Sequence, residues 1–172
     1  MSCIIGLKHG TSIYIGSDSA ATTEDGDIRP IKSKKIFRKN NFLIGYAGSI
    51  RTGQILDTEL FNPPDDINGF VEELRNTLIE AGCMVTSDGV MMLQSCFIVV
   101  HNGILYEILS DLQLSEIEGL FTAIGSGSHY AFGALDVLYS NCTKPKEIIS
   151  KALIVVSRYQ STVRGPWIIE EY

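Results

Sequence analysis

Paired, β-rich apolar runs alternate along this chain with stretches of helical periodicity, and that alternation constrains the fold more than any single motif. The opening "SCIIGLKHGTSIYIGSD" holds two runs, 3–8 and 12–17, rich in Ile and Tyr and separated by His9-Gly10-Thr11, which has the composition of a tight turn. A hairpin is predicted there. "TTEDGDIRPIKS" reads as loop, and "KKIFRKNNFLIGYAG" predicts a second hairpin across the polar Lys39-Asn40-Asn41 turn. From Ser49 the spacing turns helical: "SIRTGQILDTELF" predicts one helix, Pro63-Pro64 breaks the chain, and "DDINGFVEELRNTLIEAG" predicts another, with acidic residues at its start and Gly82 near its end. "SCFIVVHNGILYEILSD" restores the hairpin pattern around Asn102-Gly103, the strongest short hairpin signal. "LFTAIGSGSHYAFGALDVLYSN" then runs from a short strand through a Gly-Ser turn into a helix, "KPKEIISKALIVVSRYQ" predicts a further helix, and "PWIIEEY" a closing strand.

Antiparallel blocks that alternate with helix pairs predict an α+β fold in which two sheets pack face to face with helices on both outer faces, a four-layer αββα sandwich. The 172 residues suit one domain, 1–172, with no linker, internal repeat or low-complexity segment. Hydrophobic residues at 45% and charged residues at 20% are ordinary for a folded chain.

Several function classes drop out at this point. A net charge of −6, with the only dense basic cluster at 32–39, gives no electrostatic footprint for nucleic acid. No apolar run approaches the roughly 20 residues of a membrane helix, and "MSCIIGLKHG" lacks the form of a signal peptide. Cysteines at 3, 83, 96 and 142 show neither CxxC spacing nor disulfide-scaffold density, which fits a reducing, cytoplasmic setting. Histidines 9, 101 and 129 have no paired spacing, so no metal site is expected. "IGSGS" around Ser126 is not the GxSxG nucleophile elbow, and in "GSGSHY" Tyr130 stands where GxGxxG needs its last glycine.

What remains is the N-terminus. Ser2 follows Met1, and a small second residue favours removal of the initiator, which exposes a hydroxyl and a free α-amine on one residue. Such an amine, with a pKa of about 7.7 to 8.0, is partly neutral at physiological pH and can take the hydroxyl proton directly or through a water. A nearby cation would lower that pKa further. Lys35 is a candidate cation if the first two hairpins pack together, Asp18 a candidate partner for it, and the Gly45 N–H of "LIGYAG" a candidate oxyanion donor. Each also has a plainer reading: a frayed terminus, a solvated edge lysine, a turn-forming aspartate, a strand kink. Cys3 is expected to point into the sheet sandwich.

The order of these pieces resembles the proteasome β-subunit family of N-terminal-nucleophile hydrolases, including its bacterial proteasome-related peptidases. The resemblance spans nearly the whole chain, from "SCIIGLKHGTSIYIGSDSAAT" through "KKIF", "LIGYAGS" and "AIGSGSHYAFGAL" to the Gly-Pro before the last strand. It implies that Ser2 stands for the catalytic threonine, Asp18 for the acidic residue, Lys35 for the active-site lysine, Gly45 for the oxyanion glycine and Ser126 for the serine beside the terminal amine. It further implies that Thr22 and Ala47 pair with substrate backbone and that Ala21 and Leu43 wall the first specificity pocket, favouring an apolar or neutral side chain. Two departures stand out: Ser2 lacks the threonine methyl that fixes the hydroxyl rotamer, and the family's second acid is Gln160, followed by Val163-Arg164 where small residues are usual.

The expected function is therefore amide-bond hydrolysis, as a peptidase subunit of a homo-oligomeric, self-compartmentalising ring, without metal or organic cofactor. The resemblance implies an ATPase unfoldase partner. Two alternatives stand beside it: a catalytically silent ring subunit, favoured by the Ser, by Gln160 and by any retention of Met1, and a small-molecule amidase or acylase on the same fold.

Overall fold

The computed structural model describes residues 2–22, 27–30, 34–58, 62–87 and 89–172. Two antiparallel sheets form its centre. One has four strands in the order β12-β1-β2-β13, from Phe121–Ile124, Ile4–His9, Ser12–Ser17 and Ile168–Glu171. The other has five, β11-β10-β9-β6-β5, from Leu114–Glu116, Ile104–Ile108, Ser95–His101, Phe42–Gly48 and Ile36–Lys39. Helices α1 (Ile50–Thr58) and α2 (Ile67–Glu80) cover the five-stranded sheet, while α3 (Ser128–Asn141) and α4 (Pro145–Tyr159) cover the other. The expected αββα sandwich is the fold that forms.

Strand periodicity explains how two sheets bury both faces. Successive side chains point to opposite sides of a strand, so each strand splits its residues between two hydrophobic layers. In β1, Ile4 enters the layer between the sheets while Ile5 and Leu7 meet α3 and α4. In β6, Leu43 and Ala47 face between the sheets, and Phe42, Ile44 and Tyr46 pack against Leu56, Phe70 and Leu74 of α1 and α2. Local chemistry fixes the helix ends. Asp66 caps α2 by accepting the Gly69 N–H at 2.7 Å. At the far end of α4, the Arg164 guanidinium donates to the carbonyls of Ser157 (2.7 Å) and Gln160 (3.1 Å), a cation set against the negative end of the helix dipole.

Three features depart from the sequence reading. The segment read as loop, 22–33, begins at the last residue of β3 (Ala20–Thr22) and contains β3's partner β4 (Ile28–Pro30). A further hairpin joins β7 (Met84–Ser87) to β8 (Val90–Leu93), and β11 extends the five-stranded sheet. Strands β3, β4 and β11 are three residues each, too short to show periodicity. The β7–β8 hairpin leaves Val85, Val90 and Met91 exposed, so no alternation of buried and polar positions marks it.

Candidate active site

Residue 2 is held by its backbone on both sides. The carbonyl of Ser2 accepts the Gly127 N–H at 3.3 Å and the Ser126 hydroxyl at 3.4 Å. The next N–H, of Cys3, donates to Asp18 Oδ1 at 3.0 Å, and the Cys3 carbonyl accepts the Asp18 N–H at 3.3 Å. These bonds leave the Ser2 side chain at the floor of a cleft of about 380 Å³, 3% exposed. Met1 lies outside the described residues.

Glycines in the 125–127 turn make that grip possible. Gly125 has φ +90, and a Cβ on it would stand 2.3 Å from the Ser2 carbonyl oxygen. Only a residue without a side chain lets the turn approach the terminal backbone this closely. "IGSGS", which matched no nucleotide or nucleophile motif, is thus a cradle for the chain start; the sequence offers its glycine spacing as the one sign.

Asp18 and Lys35 form a buried pair behind Ser2. Lys35 Nζ donates to Asp18 Oδ2 at 2.9 Å and to the Ala20 carbonyl at 2.6 Å, with Lys35 4% and Asp18 0% exposed. The carboxylate also accepts the Ala20 N–H at 3.2 Å, so it serves three donors, two of them backbone. Burial pushes the Lys35 pKa below the usual lysine value, and the Asp18 charge and hydrogen bond oppose that shift. Burial, followed by the Asp18 charge, raises the Cys3 thiol to about 12, with Lys35 pulling the other way. Cys3 is wholly buried among Ala131, Val156 and Val163, so its thiol is an inert core group.

Strands β3 and β6 wall the cleft. Ala20, Ala21 and Thr22 line it on the β3 side. On the β6 side the structure departs from expectation. Leu43 and Ala47 belong to the layer between the sheets, and a Cβ on Gly45 would meet Ile4 and Ile15 at 2.8 Å, so all three odd positions face away from the cleft. Their backbone faces away too. The Tyr46 N–H donates to the Lys35 carbonyl at 3.0 Å, and N–H directions alternate along a strand, so those of Gly45 and Ala47 turn toward β9. Tyr46 and Gly48 are the residues that line the cleft. A slip of one residue in a strand exchanges both the side-chain face and the hydrogen-bonding edge. Gly48 has φ +138, and a Cβ there would lie 2.2 Å from the Gln94 carbonyl oxygen. Of the two glycines of "GYAG", Gly48 lines the cleft and Gly45 packs against Ile4 and Ile15 between the sheets.

Gln160 ends α4 and donates its side-chain amide to Thr162 Oγ1 at 2.8 Å. The same turn brings the Arg164 carbonyl to the Ser19 N–H at 3.1 Å, tying it to the residue after Asp18. Among the described residues no three His, Cys, Asp or Glu side chains gather as a metal site requires.

Residue 2 is held beside a cleft between two stacked sheets, with a buried lysine–aspartate pair next to it, an arrangement that can carry a nucleophile and a charge that tunes it. No family model matches the chain. Among curated proteins, it is 26% identical over 176 residues to the ATP-dependent protease subunit HslV of Aquifex aeolicus, covering 98% of this chain and 96% of that one. Among solved structures, BPH of Thiobacillus denitrificans in complex with epoxomicin superposes with a TM-score of 0.83 at 18% identity, covering 99% and 97% of the two chains. HslV of Trypanosoma brucei superposes with a TM-score of 0.71 at 21% identity, covering 98% of each. The chain is thus similar over nearly its whole length to an HslV protease subunit, and its fold is that of proteasome-type structures.

Proposed function

We propose that this chain is a single-domain peptidase subunit whose nucleophile is Ser2, freed by removal of Met1. The observation that carries the reading is the double anchoring of residue 2, through the Ser2 carbonyl on the 126–127 turn and the Cys3 N–H on Asp18, with Lys35 in the same cleft.

In the proposed reaction a peptide lies extended between β3, where Thr22 offers backbone partners and Ala21 walls the side-chain pocket, and the Gly48 end of β6. Ser2 Oγ attacks the scissile carbonyl carbon as its α-amine takes the hydroxyl proton. The Gly48 N–H stabilises the tetrahedral oxyanion, a role that geometry favours there over Gly45. The protonated amine then passes its proton to the departing amine, leaving an ester on Ser2. Water, deprotonated by the same amine, attacks the ester and releases the acid. Lys35 touches no reacting bond in this scheme; its charge, fixed by Asp18, lowers the α-amine pKa and keeps the base neutral. Ser126, at the Ser2 carbonyl, holds the nucleophile in place.

The likeness to an ATP-dependent protease subunit supports assembly into a homo-oligomeric ring in the cytoplasm, served by an ATPase that unfolds protein substrates. No helix among the described residues is long and apolar enough to cross a membrane. One observation favours a second reading, a silent ring subunit: Gln160 occupies the place of the family's second acid and is engaged with Thr162.

Hydrolysis of a fluorogenic peptide series by wild type, Ser2→Ala and Ser2→Thr separates the two. The peptidase reading expects turnover by wild type, none by Ser2→Ala, and turnover at least equal to wild type by Ser2→Thr, whose methyl restricts the hydroxyl rotamer. Turnover by neither wild type nor Ser2→Thr, with Met1 absent from both, favours the silent subunit.

A further inference from the structure

We propose that Arg51 makes the cleft selective for substrates bearing an acidic side chain close to the cut bond. The inference rests on the peptidase reading and names its substrate class. Among the described residues that line the cleft, the basic side chains are Lys35 and Arg51. Their circumstances differ. Lys35 is buried and neutralised by Asp18 at 2.9 Å. Arg51, in the first turn of α1, is exposed, donates one hydrogen bond to the Ala81 carbonyl at 3.0 Å, and forms no ion pair among the described residues.

That one bond orients the guanidinium without using it up. Ala81 follows the last turn of α2, where carbonyl oxygens attract a cation, and a guanidinium has five N–H donors in a rigid fork. A second hollow, of about 240 Å³ and reaching Thr52, Cys83 and Val85, shares Ser49, Arg51 and Gln94 with the cleft. Arg51 therefore stands on the ridge between the two hollows. A substrate side chain reaching over that ridge meets the guanidinium before bulk water, and no carboxylate lines either hollow among the described residues. In a chain of net charge −6, this is a local cationic spot where an acidic peptide is drawn to the nucleophile.

A carboxylate can meet a guanidinium through two parallel hydrogen bonds, but an exposed pair is screened by water and salt. The expected gain is roughly five-fold in kcat/KM, falling as ionic strength rises. The test uses peptide substrates that carry Glu, Gln or Lys at each position flanking the cut bond. Wild type should favour Glu over isosteric Gln at one such position, mainly through KM, and lose the preference in high salt. Arg51→Lys should keep the preference in weaker form, and Arg51→Glu should favour Lys at that same position. Thermal melts check that the variants fold, as expected for an exposed residue. Equal rates for Glu and Gln at every position, or a Glu preference that survives in Arg51→Glu, overturns the assignment and leaves the peptidase reading standing. No turnover of any peptide by wild type lacking Met1 overturns both.

Discussion

Two hollows in this molecule differ in how their walls are built. One, of about 590 Å³, lies between α3 and α4 and is lined by Tyr130, Val137, Leu138 and Ile154 among others; Tyr130 stacks on Tyr159 at its edge, ring centres 5.4 Å apart. The other is the Ser2 cleft, smaller at about 380 Å³. The groove is the larger, yet its walls are side chains standing on regular helices, and it gathers no buried charge and no strained backbone. The cleft is built from strand ends and turns, holds the buried Asp18–Lys35 pair, and needs glycine at 48 where φ is +138. The proposed reaction is placed where the fold holds desolvated charge and unusual backbone.

If that contrast is right, substitutions in the cleft should cost much and those in the groove little. Asp18→Ala is expected to have the largest effect, about 3 to 5 kcal/mol, because it strands the Lys35 charge and the Cys3 and Ala20 N–H groups in the interior. Urea unfolding would measure it; a loss below about 1 kcal/mol would mean that water reaches the pair. Gly48→Ala should follow, at about 3 kcal/mol or less if the strand end shifts, since the methyl needs both a left-handed backbone and space held by the Gln94 carbonyl.

The alkaline limb of stability sharpens the comparison from a different side. Folding raises the Cys3 thiol from 9.0 to about 12, so between those values the unfolded chain has lost a proton that the folded chain keeps. Stability contributed by this group is complete below pH 9.0 and is lost as pH rises toward about 12. Melting temperature should fall more steeply across that window in wild type than in Cys3→Ala, and parallel slopes would contradict the burial argument. The smallest effect belongs to the groove. A Cβ on Gly133, in α3, meets nothing within 4 Å, so Gly133→Ala should raise stability by up to about 1 kcal/mol through helix propensity alone. A marked loss would show that another surface covers the groove.

Much of this architecture is legible in the sequence because its strands are long enough to declare their period. The opening hairpin appears within a residue of its expected bounds, and Asn102-Gly103 turns the chain where expected. All four helices form where their spacing predicts. Ser2, Asp18, Lys35, Ala21, Thr22 and Ser126 meet around one cleft or on the turn that grips it, which composition and order could suggest and resemblance could align. Gly45, Leu43 and Ala47 do not, and the reason is parity. "FLIGYAG" is apolar throughout because both faces of β6 are buried, so hydrophobic alternation, which elsewhere fixes the register, is silent there. Three-residue strands such as β3 were beyond reach for the same reason in another form, having too few residues to display any period.

The central claim, that residue 2 is the nucleophile, is tested most directly by the intact mass of protein purified without an N-terminal tag, before and after exposure to a peptide epoxyketone. That warhead requires a hydroxyl and a free α-amine on one residue. The account expects a mass lacking Met1 that gains one adduct in wild type and none in Ser2→Ala. A chain that retains Met1 and gains no adduct, or an adduct that persists in Ser2→Ala, would contradict it.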